Sequence, residues 1–269
     1  MGRIIGGFAT SHVLFPSTGV EAAAERVFAG MMALRAQLRA LAPDALVVAN
    51  SDHMNNFTLA QQVSLAVGVA DQFEPLGDMG FARTPFAGCR PLAESFARHA
   101  AAHGFDLVQA EEARPDHGMM LTKLVATGAA ATPVVPVWIN TNMPVTPSPG
   151  RAFGLGRVLK ETVEAADCPC QRVAVVAGGG LSHWLCDPQE GRVNEAFDRR
   201  FLETMAAGKS AELARMSVET LEAEAGNGGL ELANWLFMAG ALPHAKGEVL
   251  YYEPMPQWIS GMGGLALWA

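Results

Sequence analysis

The sequence has little positive charge, few cysteines and no long uncharged run of apolar residues. Its 19 lysines and arginines against 27 aspartates and glutamates give a net charge of −8, and they form no basic cluster. We therefore expect neither nucleic acid nor a membrane surface as a partner, because both attract a concentrated positive charge. No uncharged stretch reaches the roughly 20 residues that cross a bilayer, so no transmembrane segment is expected either.

The four cysteines, Cys89, Cys168, Cys170 and Cys186, contain no CxxC pair. The spacing in Cys168-Pro169-Cys170 is too tight for a zinc ribbon. The amino terminus has an apolar start but lacks the basic region, long apolar core and cleavage site of a secretory leader. These features predict a cytoplasmic protein with reduced thiols.

The composition, 50% hydrophobic and 17% charged over 269 residues, is typical of a compact globular protein with a substantial core. Short apolar runs that favour strands alternate with segments of helical periodicity. This alternation predicts an α/β fold, with a central mostly parallel or mixed sheet, helices on both faces, and a single domain over residues 1–269. The predicted strands are Ile4–Phe8, Ala45–Asn50, Phe105–Gln109, Pro133–Trp138 and Arg172–Ala177.

Four helices are expected between and after these strands. An amphipathic one covers Val27–Leu41, two others cover Arg90–His103 and Gly154–Ala166, and a mostly buried one covers Leu230–Ala239. The segment Tyr251–Leu267, rich in proline, glycine and aromatic residues, is predicted to be irregular structure packed on the domain.

Four of the seven histidines follow predicted strands: His12, His53, His117 and His183. Ligands of open α/β sheets bind beyond the carboxyl ends of the strands, so four imidazoles delivered to that edge can meet in one pocket. Taken singly, each of these histidines also fits a surface residue or a hydrogen-bonded structural residue. His99 and His103, four residues apart on a predicted helix, are expected on a solvated face.

Imidazoles gathered in this way suit zinc, iron, copper or nickel, and two of them with one carboxylate suit non-haem Fe(II). Glu231 is the candidate acid, because it follows a glycine-rich break and begins an otherwise apolar helix. The alternative for Glu231 is an exposed position near the helix start, where the helix dipole favours it. Asp52 and Asp116 are expected to orient imidazoles instead of binding metal.

Three glycines, Gly178 to Gly180, separate the predicted strand Arg172–Ala177 from His183. Glycine lets the backbone turn sharply and approach another group closely. We expect these glycines to bring the chain close to a substrate, and His183 to move a proton there.

The order of these motifs resembles the class III extradiol ring-cleaving dioxygenases, the family of the protocatechuate 4,5-dioxygenase β subunit and of 2,3-dihydroxyphenylpropionate 1,2-dioxygenase. The resemblance runs nearly end to end. The motifs that carry it are Ser11-His12, Asp52–Phe57, Asp116–Gly118, Pro133–Asn140, Gly178–His183, the glycine-rich segment before Glu231, and Tyr251–Leu265.

The resemblance implies that His12, His53 and Glu231 bind Fe(2+), and that His183 and His117 act as acid and base. It implies cleavage of a catechol-type ring with O2 to a ring-opened semialdehyde acid. It also implies a homo-oligomer, with or without a small second subunit. The sequence does not decide which of the two histidines is the acid and which is the base. It also marks no substrate-binding residue.

Two other functions fit the same residues. A zinc hydrolase also uses two histidines, a glutamate and an open water position. A non-catalytic binding protein on the same fold is the third hypothesis. A carboxylated catechol would call for an arginine, a lysine or a cluster of backbone donors beside the metal, and no basic residue is marked for this by its position in the sequence.

Overall fold

A computed structural model describes residues 1–128 and 130–269. Its strands form a mixed sheet of eight strands and a separate ribbon of two. The strands are β1 (Arg3–Thr10), β2 (Ala45–Asn50), β3 (Leu65–Gly68), β4 (Gln72–Phe73), β5 (Phe86–Ala87), β6 (Val108–Ala110), β7 (Val134–Ile139), β8 (Arg172–Gly178), β9 (Gly247–Met255) and β10 (Ser260–Trp268).

The helices connect these strands or follow β8. They are α1 (Glu21–Leu41), α2 (Arg90–Ala102), α3 (His117–Thr127), α4 (Pro149–Glu164), α5 (Glu195–Ala206), α6 (Ser210–Leu213), α7 (Val218–Gly229) and α8 (Leu232–Gly240). Two single turns of 3-10 helix cover Asp78–Gly80 and Pro256–Trp258.

The strand order of the large sheet is β6-β3-β7-β2-β8-β1-β10-β9. Its four central strands β7, β2, β8 and β1 are parallel, whereas β3 pairs antiparallel with β7 and β10 pairs antiparallel with β1. The parallel strands therefore end at one common edge, where a ligand pocket is expected.

Side chains from the two faces of the sheet enter two separate cores. Val47 and Val175 pack with α2, α4 and α8 on one face. Val48 and Val176 pack with α1 and α3 on the other. Successive residues of a strand point to opposite faces, so a central strand buried on both sides reads as an unbroken apolar run. The predicted α/β fold with helices on both faces of a mixed sheet is confirmed.

The prediction of irregular structure over Tyr251–Leu267 is wrong, because this segment forms most of β9 and β10. The glycines that suggested irregularity lie in β10 where large side chains cross the strand. A Cβ on Gly264 would lie 2.1 Å from Cε1 of Tyr251, and one on Gly261 would lie 2.2 Å from Oδ2 of Asp198. Glycine in a strand here permits close packing instead of ending the strand.

Helix boundaries shift by a few residues from the predicted ones, as at α4, where Ser148 caps the amino terminus by accepting from the N–H of Arg151. Among the described residues, no helix combines the length and the apolar character needed to cross a membrane.

Candidate metal centre and active site

His12, His53 and Glu231 converge at the carboxyl edge of the sheet. His12 lies two residues after β1, His53 lies three after β2, and Glu231 immediately precedes α8. Nε2 of His12 is 3.6 Å and Nε2 of His53 is 3.4 Å from Oε1 of Glu231. One potential ligand atom from each side chain lies within 4.8 Å of the others, close enough to share one metal ion.

The chemistry of this donor set fits a divalent cation. Glu231 is buried, and its ion-pair partners in the described part of the chain are histidines, with no lysine or arginine among them. The N–H of Gly180 donates to its Oε2 at 3.0 Å. A buried carboxylate without a permanent cation is costly, and a metal ion would remove that cost.

The two buried ligands hold the protonation states that metal binding requires. Burial lowers the pKa of His12 to about 4, so its imidazole is neutral near pH 7. Burial would raise the pKa of Glu231, but the neighbouring imidazoles of His12 and His53 hold it well below its usual range. Neutral imidazole and ionised carboxylate are the forms that coordinate metals.

Asp116 fixes the orientation of His53. Its Oδ2 accepts hydrogen bonds from Nδ1 of His53 at 3.0 Å and from the backbone N–H of His53 at 2.8 Å. Because a carboxylate only accepts, the proton sits on Nδ1 and the lone pair of a neutral His53 sits on Nε2. Burial would lower the pKa of His53, but Asp116 and Glu231 raise it to about 10, so a bound metal would have to displace a proton from Nε2.

Asp52 has a different task from the one predicted. Its carboxylate accepts from the backbone N–H groups of Asn55, Asn56 and Phe57 at 2.8, 2.9 and 3.1 Å. No hydrogen bond joins it to a histidine within residues 1–128 and 130–269. Asp52 therefore shapes the loop after His53, and the prediction that it orients an imidazole is wrong, whereas the one for Asp116 is confirmed.

His183 reaches the same centre from the loop after β8. Its Nδ1 donates to the carbonyl oxygen of Leu181 at 2.8 Å, and its Nε2 lies 4.0 Å from Oε2 of Glu231. A carbonyl oxygen only accepts, so a neutral His183 keeps its lone pair on Nε2, facing the centre. The side chain is buried.

The glycines around His183 make room for the centre itself. A Cβ on Gly179 (φ 125°) would lie 2.8 Å from Cβ of Glu231, and one on Gly180 would lie 2.7 Å from Cε1 of His183. A Cβ on Gly228 would lie 2.2 Å from Nε2 of His183. The backbone of the glycine run thus lies against Glu231 and His183, and its approach to a substrate stays a prediction.

His117 begins α3 and lies next to His53. Their ring centroids are 4.3 Å apart, and the ring of His12 lies 6.2 Å from that of His117. Nδ1 of His117 is 2.5 Å from Oδ2 of Asp78, in the short turn Asp78–Gly80. Sequence reasoning missed Asp78, because it lies in an irregular segment far from every motif. His103, by contrast, is exposed and pairs with Glu161.

A cavity of about 1050 Å³ opens over these side chains. His12, His53, His117, His183 and Glu231 all line it. The five residues selected from the sequence therefore share one pocket, at the edge of the sheet where α/β proteins bind ligands. A ferrous, zinc or similar ion held by the triad would be open to a small molecule in this cavity.

A family profile described as the catalytic LigB subunit of aromatic ring-opening dioxygenase matches residues 7–263. Curated relatives named 2,3-dihydroxyphenylpropionate/2,3-dihydroxicinnamic acid 1,2-dioxygenase are similar over most of their length. The relative from Burkholderia vietnamiensis is 28% identical, with 93% of this chain and 91% of that protein covered. The relative from Pseudomonas putida is 27% identical, with 87% of this chain and 88% of that protein covered.

Among solved structures, a crystal structure of an uncharacterized protein from Escherichia coli K12 superposes with a TM-score of 0.58 at 17% identity. The superposition covers 97% of this chain and 99% of the Escherichia coli protein, and it shows that the two share a fold. The family match over residues 7–263 confirms the resemblance drawn from the motifs: the chain belongs to the LigB family of aromatic ring-opening dioxygenases, the class III extradiol enzymes.

Proposed function

We propose that this protein is a non-haem Fe(II)-dependent extradiol dioxygenase that cleaves a catechol-type ring with O2 to a ring-opened semialdehyde acid. The observation that carries the proposal is the approach of His12 Nε2 and His53 Nε2 to one oxygen of the buried Glu231. Two imidazoles and one carboxylate on one face are the ligands typical of Fe(II) oxygenases. The family match supports this function over a zinc hydrolase or a non-catalytic binding protein.

In this proposal His12, His53 and Glu231 would hold Fe(2+) beside the cavity that all three line. When bound, Fe(II) would hold the diol and O2 side by side and pass electrons from the ring to oxygen. The C–C bond next to the diol breaks, and both atoms of O2 enter the product. Asp116 keeps the ring of His53 in the orientation that directs Nε2 to the metal position.

We assign His183 as the base that takes a proton from the diol. Its Nδ1–H is held by the carbonyl of Leu181, so Nε2 is its free basic nitrogen, and it faces the centre. We assign His117 as the acid that returns a proton. The carboxylate of Asp78, 2.5 Å from Nδ1, can stabilise the positive charge that His117 carries while it holds a second proton.

We further propose a cytoplasmic homo-oligomer in which residues 1–269 form one catalytic domain. The pairing of the first strand, β1, with the last, β10, supports a single domain, because both ends of the chain enter one sheet. The four free cysteines, within the residues that the structure describes, support a reducing compartment.

Anaerobic reconstitution separates the dioxygenase from the zinc hydrolase. The protein loaded with Fe(II) should consume O2 with a catechol and form a yellow ring-fission product, and the protein loaded with Zn²⁺ should do neither. An oxygen electrode and absorbance spectroscopy measure the two signals. Activity of the zinc form, or an inert iron form across a panel of catechols and aminophenols, would contradict the proposal.

A further inference from the structure

The mouth of the cavity concentrates exposed apolar side chains. Of the eleven large hydrophobic side chains that stand exposed in the described chain, six line this one cavity. They are Phe15, Met54, Leu59, Met79, Val145 and Leu185. Single exposed apolar residues are common on proteins, but a concentration of them in a concave site is typical of a surface that binds an apolar group.

Backbone strain is concentrated on the same walls. Met54 (φ 57°), Met79 (φ 49°), Cys186 (φ 53°) and Ile259 (φ 50°) all line the cavity. The remaining non-glycine residue with a left-handed backbone among those described, Ala42 (φ 45°), lies elsewhere. Glycine would adopt these conformations without penalty, so the side chains present at the cavity must offset the cost of strain by another contribution.

The charged side chains of the lining, apart from the histidines, are acidic. No lysine or arginine lines the cavity in the part of the chain described here, whereas Glu219 and Glu222 do. Three neutral side chains of the lining already donate within the protein. Asn142 donates to the carbonyl of Asp52, Asn227 to that of Leu185, and the hydroxyl of Ser51 to that of Ile139. A carboxylate on the ring substituent would meet no lysine or arginine among the described lining residues and would be repelled by both glutamates.

We propose that the substrate is a catechol whose ring substituent is apolar and uncharged, and that Met79 and Ile259 belong to the wall that contacts this substituent. This inference rests on the proposed function, since the diol must bind at the triad. It separates this chain from the relatives named for 2,3-dihydroxyphenylpropionate, whose substituent carries a carboxylate. The apolar mouth, and a described lining with two glutamates but no lysine or arginine, select the substrate by disfavouring a negatively charged substituent.

The first test compares substrates of nearly equal size but different charge. 3-(2,3-Dihydroxyphenyl)propionate, its primary amide and 3-propylcatechol are assayed with the iron-loaded enzyme, and their Kd values are measured anaerobically by calorimetry. We expect 3-propylcatechol and the amide to exceed the acid by about tenfold or more in both kcat/KM and affinity. An acid that binds and reacts as well as the amide overturns the inference. O2 consumption with other catechols but with none of these three overturns the inference alone, and O2 consumption with no catechol or aminophenol of the wider panel overturns the proposed function itself.

The second test uses the left-handed positions. Met79→Gly and Ile259→Gly remove wall contacts without backbone strain, and Ala42→Gly is the matched control outside the cavity. Each wall variant should lower the ratio of kcat/KM for 3-propylcatechol to that for catechol by about fourfold or more, as expected for lost methylene contacts. Ala42→Gly should keep the wild-type ratio.

A wild-type ratio in both wall variants overturns the inference. Sedimentation of the same variants tests the other possible occupant of the mouth, a second copy of the chain. If the wall variants dissociate an oligomer and keep the wild-type ratio, the mouth is a subunit interface and the substrate assignment is wrong.

Discussion

The imidazole of His183 has one ring nitrogen fixed by the backbone and the other directed toward the metal position. The carbonyl of Leu181 holds Nδ1–H at 2.8 Å, and Gly180 and Gly228 leave space against the ring that a side chain would fill. The ring therefore cannot rotate freely, and its proton exchange is confined to Nε2. Its distance of 4.0 Å from Glu231 places it beside the metal position without requiring it as a ligand.

His183→Gln should keep the iron and lose turnover. An amide can occupy the same space but cannot take a proton, so kcat should fall by about 10²- to 10⁴-fold, the range for loss of a general base. Turnover by oxygen electrode and iron content by elemental analysis are measured on one sample. His103→Gln, at an exposed position, is the control. Wild-type turnover in His183→Gln would refute the base assignment.

The site residues could be selected from the sequence because their chemistry is local. A histidine after an apolar strand and a glutamate before an apolar helix are visible as patterns, and the structure brings His12, His53 and Glu231 together. Their roles as ligands remain predictions. Asp78 and the strained cavity residues were not predictable, because they depend on how irregular segments fold back over the sheet edge.

At the scale of elements, the loop that carries His183 is anchored by α5. Asp198 is fully buried and accepts from the backbone N–H and the hydroxyl of Ser182, each at 2.9 Å. It also accepts from the hydroxyl of Tyr252 in β9 at 3.0 Å. One carboxylate therefore connects the loop after β8, helix α5 and the antiparallel edge of the sheet.

Burial raises the pKa of Asp198 to about 6, which predicts a distinct pH dependence of stability. Between the ordinary pKa of 3.8 and about 6, the folded state keeps this proton and the unfolded chain has lost it. The stabilisation from the bound proton is therefore complete below pH 3.8 and is lost as the pH rises through about 6. The free energy of unfolding of the wild type relative to Asp198→Asn should thus fall between pH 4 and pH 6, by up to about 3 kcal/mol.

Urea unfolding at several pH values measures this difference. Glu203→Gln, an exposed carboxylate on the same helix, should follow the wild-type profile. Parallel profiles for the wild type and Asp198→Asn would show that the buried carboxylate does not titrate in this range.

The parallel centre of the sheet was predictable and its antiparallel edge was not. β2, β7 and β8 are buried on both faces and are continuous apolar runs in the sequence. β10 contains three glycines within Ser260–Leu267, and β9 contains Pro254. Local composition there favours turns, and only the packing of Tyr251 and Asp198 across the strand explains why glycine is needed.

At the scale of the whole molecule, the proposed metal links parts of the chain that are far apart in sequence. His12 follows the first strand, His53 follows the second strand, and Glu231 immediately precedes α8. In the unfolded chain these residues are separated, so a metal ion that binds all three stabilises the folded state alone.

Fe(II) should therefore raise the melting temperature of the protein under anaerobic conditions. At a hundredfold excess over its Kd, the gain is about 2.7 kcal/mol. For a chain of this length, that corresponds to roughly 5–10 °C. Mg²⁺ should give no comparable shift, since it prefers an all-oxygen octahedron. Equal shifts with Mg²⁺ and Fe(II) would indicate binding outside the histidine triad.

Iron retained after anaerobic loading and desalting tests the central claim most directly. Wild-type protein and the His103→Ala control should each keep one ferrous ion per chain, because neither lacks a proposed ligand. His12→Ala and His53→Ala should each keep less than about a tenth of that amount, as expected when one of three protein ligands is lost. Wild-type iron content in either triad variant would show that this centre is not the iron site.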